Sequence, residues 1–143
     1  MFQILRFKAS MHKHGMSKLS KLLDLMFRIF FKCDFPASVK FGGGLRLTNN
    51  GKGTVVHYRT VIGDNVTIGK NVTIGSRNHI GPPQIGDSVW IGNNACLLGD
   101  IHIGNHVVIE EDAVVVHSVP SNSYVYGVPA RNRELTDKGK ESY

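Results

Sequence analysis

Aliphatic residues recur at every sixth position through most of this chain. Two in-phase series follow one another, and one residue of phase is lost between them, inside residues 79–83. The series are Val56, Ile62, Ile68, Ile74 and Ile80, then Ile85, Ile91, Leu97, Ile103, Ile109 and Val115. A period of six fits neither an amphipathic helix nor a plain alternating strand. It predicts a chain that turns a corner in every hexad.

A second inward-facing series is predicted four positions after most of these aliphatic residues, and Asn78 interrupts it. Its members are Thr60, Val66, Val72, Val89, Ala95, Ile101, Val107, Ala113 and Val119. Glycine follows the aliphatic residue in most hexads, and Gly and Asn suit turns because they tolerate a positive φ. Together these features predict an all-β fold, a parallel β-helix whose successive coils pair as parallel strands. The alternative is a sandwich of several short strands.

An amphipathic helix is predicted before the repeats, at residues 17–31. Its apolar positions are Leu19, Leu22, Leu23, Met26, Ile29 and Phe30, with Lys18, Lys21, Asp24 and Arg28 outside them. We expect residues 1–33 to form a helical cap on the open first coil, since a solenoid end exposes apolar side chains and strand edges. The alternative is a basic helix that lies on an anionic membrane surface as a peripheral contact.

Composition and charge narrow the class of protein further. The chain has 143 residues, a length that predicts a single domain, and its formal net charge is +6. Cys33 and Cys96 are too few for a disulfide framework, and no apolar run approaches the ~20 residues that a membrane span needs. With no secretory signal, these features predict a soluble, cytoplasmic protein. The basic residues lack the interleaved aromatic side chains of a nucleic-acid groove, so no nucleic-acid partner is expected.

The hexads, the residues IGDSVWIG at 85–92 and the closing GVPAR at 127–131 resemble the hexapeptide-repeat acyltransferases. The resemblance covers residues 34–131 and leads to the branch of serine O-acetyltransferase-like enzymes, including short forms from surface-polysaccharide gene sets. It implies a left-handed β-helix, a homotrimer, and acetyl-CoA bound in the clefts between neighbouring subunits. Residues 132–143 are expected to form a polar, frayed tail.

The resemblance implies an O-acetyltransferase that acts on a small hydroxyl acceptor. We expect a sugar or a surface-polysaccharide precursor first, and serine as the alternative acceptor. A catalytically impaired trimeric binding or scaffold protein is the non-enzymatic alternative. Acetyl transfer to an alcohol needs a general base for the hydroxyl proton, a role suited to histidine, and N–H donors for the developing oxyanion. It needs no covalent enzyme intermediate, so neither cysteine has to act as a nucleophile.

Three residues are the candidate catalytic groups. Residues 33–42 are similar to a serine acetyltransferase segment whose aspartate orients the catalytic histidine, and the resemblance assigns that role to Asp34. The family histidine is expected fifteen residues later, where this chain has Asn49, whose amide cannot act as a base. His57 is the first substitute, because it follows an inward valine and should face outward. His79 is the second, in a loop where Pro82 occupies the place of the family's second histidine.

The remaining candidates concern a metal and the coenzyme. The γ-class carbonic anhydrases share this fold and bind zinc through histidines, but Leu98 stands where a ligand is required. We therefore expect His102, His106 and His117 to be exposed strand residues, and we expect no metal. The resemblance places the closing turn beside the coenzyme. Its residues are Gly127, Pro129, Ala130 and Arg131, of which the arginine would pair with the coenzyme phosphates. The structural alternative is a rigid turn that closes the last coil.

Overall fold

A computed structural model describes residues 2–15 and 17–135 of the chain. Two helices, α1 (Phe2–Lys13) and α2 (Ser17–Phe31), precede the strands. The strands are β1 (Lys40–Phe41), β2 (Arg46–Leu47), β3 (Val55–Val56), β4 (Val61–Ile62), β5 (Thr67–Ile68), β6 (Thr73–Gly75), β7 (Gln84–Ile85), β8 (Trp90–Ile91), β9 (Cys96–Leu98), β10 (His102–Ile103), β11 (Val108–Ile109), β12 (Val114–Val115), β13 (Ser123–Tyr126) and β14 (Arg131–Glu134). None of the described helices is long and apolar enough to cross a membrane.

The strands form the three faces of a parallel β-helix. Sheet A contains β3, β6, β9 and β12, sheet B contains β1, β4, β7 and β10, and sheet C contains β2, β5, β8, β11 and β13. Every third strand therefore pairs in parallel, so that Ile62 lies opposite Ile85 and Ile85 opposite Ile103. β14 closes sheet C as its one antiparallel strand. Each face stacks one hexad per coil, as the six-residue period predicts.

Both inward series fill the interior of the prism, with one exception. Every residue of the two series is buried except Ile80, which is 67% exposed. Val55 pairs with Thr73, and Cys96 with Val114, at the 18-residue spacing of three hexads. Thr73, however, pairs with Cys96, which is 23 residues later. The predicted loss of one residue is therefore wrong. Five residues are inserted after β6, and residues 76–83 leave the coil and carry Ile80 into solvent.

Two of the three corners of the prism are built from ladders of polar side chains. At the corner between sheets B and C, Asp87 Oδ1 accepts the N–H of Asp64, and Asn105 Oδ1 accepts the N–H of Asp87, both at 2.8 Å. At the corner between sheets C and A, Asn94 Nδ2 donates to Asp112 Oδ1 at 2.9 Å. The coils approach so closely that a Cβ on Gly63 would lie 2.6 Å from the carbonyl oxygen of Gly86. This contact requires glycine.

The third corner, between sheets A and B, is irregular. It consists of residues 57–60, 76–83, 99–101 and 116–119, which follow the four strands of sheet A in chain order. These segments differ in length, whereas the corresponding segments between sheets B and C repeat one pattern. We call this part of the molecule the A–B corner. It is the corner at which the chain departs most from its repeat.

The N-terminal helices only partly match the prediction. α2 has the predicted bounds, whereas α1 was not predicted. Cys33 and Phe35 lie in the core, and Leu5 of α1 is buried with them. The expectation that the apolar face of α2 covers the first coil is wrong for most of its residues. Leu19, Leu22, Met26, Ile29 and Phe30 are 45% to 72% exposed.

The C-terminal segment is more ordered than the polar sequence predicts. β14 pairs with β13 in antiparallel register, so that Tyr126 lies opposite Arg131 and Ser123 opposite Glu134. The guanidinium of Arg133 lies 4.8 Å from the ring centroid of Tyr124. Leu135 is buried. The predicted fraying is therefore wrong for residues 132–135, and residues 136–143 lie outside the described residues.

Candidate active site

The A–B corner brings the two candidate histidines into adjacent coils. His57 follows β3, and the loop that carries His79 follows β6, the strand that pairs with β3. The N–H of His57 donates to the carbonyl oxygen of Ile74 at 2.8 Å. The turn at His57 therefore lies directly against the strand from which the loop departs. Sequence spacing alone could not show this neighbourhood, because it depends on which strands pair.

Two contacts hold the imidazole of His57 in place, a ring stack and a hydrogen bond. It is half-buried, and it stacks on the ring of Tyr58 with centroids 4.5 Å apart and an interplanar angle of 28°. Its Nδ1 accepts a hydrogen bond of 3.2 Å from the backbone N–H of Arg59. A nitrogen that accepts an N–H carries no proton of its own, so the neutral ring has its proton on Nε2. In this arrangement the second ring nitrogen of neutral His57 is a hydrogen-bond donor, Nε2–H.

His79 is exposed at the tip of the inserted loop. It and Asn78 have φ values of 58° and 53°, in the left-handed region that non-glycine residues seldom occupy. The base of the loop is packed, since a Cβ on Gly81 would lie 3.4 Å from Asp100 and one on Gly99 would lie 3.4 Å from Arg77. The loop thus rests on the next coil while the imidazole faces solvent.

Asp34 lies on the outer surface of sheet A, beside β3. It forms a parallel bridge with Val55, and its backbone carbonyl accepts the N–H of Val56 at 2.8 Å. Since residues alternate across a strand, the side chain of His57, two positions after Val55, lies on the same outward side. The Asp34 carboxylate is paired with Arg28, whose Nη2 donates to Oδ2 at 2.5 Å. Nothing in the sequence of α2 indicated that Arg28 would pair with Asp34.

Asn49 lies at a different corner from His57. It belongs to a 3₁₀ turn, Thr48–Gly51, in which Asn49 and Asn50 have φ values of 48° and 57°. This turn precedes β3, at the corner between sheets C and A, whereas His57 follows β3. A cavity of about 360 Å³ beside the turn is lined by Phe30, Phe31, Lys32, Asn49, Asn50 and Lys52. His57 therefore does not occupy the place where the resemblance expects the family histidine.

The closing turn at residues 127–130 completes sheet A. Val114 in β12, the edge strand of that sheet, donates its N–H to the carbonyl of Gly127 at 3.1 Å. Its own carbonyl accepts the N–H of Ala130 at 2.9 Å. The peptide between Val128 and Pro129 is cis, and Ala130 packs against the core. The turn thus has a structural role, while Arg131 is exposed at the start of β14.

The other three histidines lie apart in the fold. His102 begins β10 in sheet B, His106 has a φ of 55° in a turn between sheets B and C, and His117 lies at the A–B corner. All three are exposed, as predicted, but the prediction that they are strand residues holds for His102 alone. Within residues 2–15 and 17–135, no group of three or more His, Cys, Asp or Glu side chains is placed to hold a metal ion.

Sequence reasoning missed the residues that hold the candidates in place. Arg28 holds Asp34, and Tyr58 and Arg59 hold His57. The sequence did contain one local indication of this site. The segment His57–Thr60 replaces the Gly, Asp and Asn of the other turns with bulky side chains, and this break in the pattern marks the corner as unusual.

Comparison with known proteins agrees with this architecture. Residues 82–117 match the family model described as bacterial transferase hexapeptide (six repeats). The repeats and the fold confirm the resemblance to the hexapeptide-repeat acyltransferase superfamily, and with it the left-handed form of the β-helix. The relatives matched are serine acetyltransferases. One from Staphylococcus aureus (strain Mu50) is 36% identical over 116 residues, which cover 77% of this chain and 53% of the relative.

Solved structures give the same result. A Neisseria gonorrhoeae serine acetyltransferase in complex with serine has a TM-score of 0.84 and 34% identity, over 92% of this chain and 55% of that one. A serine acetyltransferase in complex with CoA has a TM-score of 0.83 and 28% identity, over 92% and 55% of the two chains. The chain thus spans between 37% and 55% of the length of these relatives and of a further one, serine acetyltransferase 4 from Arabidopsis thaliana.

Proposed function

We propose that this chain is an acetyl-CoA-dependent O-acetyltransferase whose acceptor is serine or a similarly small hydroxyl compound. The observation that carries the proposal is the similarity to serine acetyltransferases over more than nine-tenths of the chain, at 28% to 34% identity. One of those relatives was solved with serine and another with CoA, which supports the same two classes of ligand here. The proposal includes a cytoplasmic homotrimer with sites in the clefts between neighbouring copies.

The choice of acceptor differs from the sequence-based expectation. That expectation ranked a sugar before serine, whereas the relatives that the chain matches support the serine alternative. A sugar hydroxyl, as in a surface-polysaccharide precursor, is the second candidate. Asn49 favours it, because the chain departs there from the pattern that the resemblance associates with serine acetyltransferases. The two acceptors are distinguished by assay.

The proposed reaction is a direct transfer. The base removes the proton of the acceptor hydroxyl, the oxygen attacks the thioester carbonyl carbon, and the C–S bond breaks to release the CoA thiolate. The thiolate then takes the proton from the base. We assign the base to His79, whose imidazole is exposed, and the donor to the developing oxyanion to His57, whose Nε2 carries a proton. Arg131 in the closing turn is assigned to the coenzyme phosphates.

The test is thiol release from acetyl-CoA by the full chain, with serine and with a panel of sugars as acceptors. We expect turnover with serine, a loss of 10²-fold or more in His79→Ala, and little change in His117→Ala, the matched control at the same corner. Turnover with a sugar alone would replace serine as the acceptor. Calorimetric binding of CoA without turnover would support the scaffold alternative. Absence of both turnover and binding would overturn the proposal.

A further inference from the structure

The net charge of the protein is concentrated in its N-terminal helical segment. Residues 1–33 contain seven Lys and Arg residues and one acidic residue, Asp24. Residues 34–143 contain ten basic and ten acidic residues, and therefore carry no net formal charge. The whole formal charge of +6 thus resides in the segment that contains α1 and α2. The repeats do not require such a distribution, because the charges of the β-helix balance one another.

The same segment exposes an apolar stripe. Six large apolar side chains of α2 are between 45% and 72% exposed, at spacings typical of one side of a helix. They are Leu19, Leu22, Leu25, Met26, Ile29 and Phe30. We call them the outer stripe. Leu23 and Phe31, by contrast, are half-buried, and Phe31 packs against the core. A contiguous exposed stripe of this kind marks an interaction surface rather than scattered surface hydrophobics.

Cations lie beside the outer stripe and on the neighbouring helix. Lys18, Lys21 and Arg28 of α2 are exposed. A cavity of about 810 Å³ between α1 and β1 is lined by Arg6, Ser10, Lys13, His14 and residues 37–41. Its described lining contains Lys40 as a further cation and no acidic side chain. A cavity of this chemistry suits a phosphate group.

We infer that α1 and α2 form a docking surface for an anionic lipid bilayer. The outer stripe would enter the boundary between headgroups and acyl chains, while Lys18, Lys21 and the cations that line the cavity contact lipid phosphates. α2 has 15 residues, fewer than the ~20 that a membrane span requires, so it would lie in the plane of the interface. This surface is separate from the A–B corner, and the inference stands without the proposed enzymatic activity.

Charge distinguishes a bilayer from a second copy of the chain. Pairing the helical segments of two copies would bring together two surfaces with a formal charge of +6 each, and such like-charge contacts oppose association. The β-helix of another copy carries no net formal charge and offers no overall attraction. An anionic bilayer supplies both an apolar layer and negative charge. It therefore complements both properties of the surface.

The experiment is vesicle flotation of the full chain. We use vesicles of phosphatidylcholine alone and vesicles that also contain phosphatidylglycerol, at low salt and at about 0.5 M salt, where the Debye length is only a few ångström. We expect binding to the anionic vesicles only, with a loss of at least tenfold at high salt. Inorganic phosphate at the same concentration as the lipid phosphate should leave vesicle binding unchanged. Loss of binding in its presence would reassign the surface to free phosphate and overturn the inference.

Matched variants separate the contributions of the stripe and the charge. Ile29→Ser with Phe30→Ser should lower vesicle binding at least tenfold, whereas Ile80→Ser, a similarly exposed residue of the β-helix, should not. Lys18→Glu with Lys21→Glu should also lower binding at least tenfold, whereas Lys70→Glu with Arg46→Glu should not. Circular dichroism confirms that each variant is folded.

Two further results would overturn the inference. One is failure of the unaltered protein to bind anionic vesicles. The other is that the stripe variants bind vesicles normally but form smaller particles in analytical ultracentrifugation, which would show that the outer stripe contacts a second copy. The Lys18→Glu, Lys21→Glu variant provides an independent readout, because it preserves the apolar stripe.

Discussion

The backbone N–H of Arg59 donates to Nδ1 of His57 at 3.2 Å, which leaves Nε2–H as the donor group of the neutral imidazole. A general base must offer an unprotonated nitrogen to its substrate, and here that nitrogen already accepts a hydrogen bond. A 180° rotation of the ring about χ2 would keep its stack on Tyr58 but would place Cδ2, which cannot accept a hydrogen bond, where Nδ1 now accepts the N–H of Arg59. His57 is therefore built as a donor at the A–B corner.

The donor role of His57 is tested by a pair of substitutions. We expect His57→Gln, whose amide can donate, to retain more turnover than His57→Ala, a difference of about tenfold or more. At His79, the proposed base, Gln and Ala should be equally inactive. Nitrogen NMR of the unaltered protein should show the His57 proton on Nε2. A proton on Nδ1, or equal activity of the two His57 variants, would contradict the assignment.

The corrected position of Ile80 gives a stability prediction with its own control. Ile68→Ala removes a fully buried side chain from the prism and should lower the free energy of unfolding by about 2–5 kcal/mol. Ile80→Ala changes a residue that is 67% exposed and should alter it by no more than about 0.5 kcal/mol. Urea unfolding of both variants measures the difference. Similar losses in both would place Ile80 in the core, as the six-residue period alone predicted.

The periodicity in the sequence predicted the fold well because nearly every inward position must be apolar, with Thr60 as the polar member of the two series. Val66, Ala95 and Val107 face the same narrow interior, so burial constrains each of them. The break in phase inside residues 79–83 was harder to interpret. The loss of one residue and the gain of five residues shift a six-residue period by the same amount. The strand pairing, such as that of Thr73 with Cys96, distinguishes the loss of one residue from the gain of five. The helix α1 was missed because its sequence has little apolar periodicity.

The candidate site was less predictable, because its geometry depends on contacts between distant segments. The sequence identified His57 and His79 as candidates, and the pairing of β3 with β6 shows that they share a corner. It could not predict that the carboxylate of Asp34 is paired with Arg28, which depends on how α2 leaves the first coil. Nor could it place Asn49 and His57 at opposite ends of β3.

The substitution Asn49→His would restore a histidine at the position where the resemblance expects one. If the resemblance applies at this position, Asn49→His should restore a base beside the small cavity and raise kcat with serine, by an amount up to the 10²–10⁴-fold that general bases typically contribute. The residue has a φ of 48°, so the substitution should also cost about 1 kcal/mol of stability. Steady-state assays and urea unfolding measure the two effects. Unchanged kcat in a folded Asn49→His protein would show that the reaction, if present, uses the A–B corner alone.

The ion pair between Arg28 and Asp34 is expected to contribute little to stability. The Arg28 side chain is 65% exposed and the Asp34 side chain 33%, so solvent screens much of their attraction. A double-mutant cycle of Arg28→Ala and Asp34→Ala should give a coupling free energy of no more than about 1 kcal/mol. If Asp34 positions a catalytic group, Asp34→Asn should still lower kcat. A coupling of several kcal/mol would show that the pair is far more buried than the structure indicates.

Deletion of the inserted loop should abolish activity without lowering stability. Deletion of residues 77–81 restores the 18-residue spacing between Thr73 and its partner in β9, so the coil can close as the others do. Because the cost of closing a loop changes slowly with its length, we expect the free energy of unfolding to stay within about 1 kcal/mol of that of the unaltered protein. Turnover should be abolished, since His79 is removed. A folded deletion variant that still releases CoA would exclude the loop from the reaction and overturn the assignment of His79 as the base.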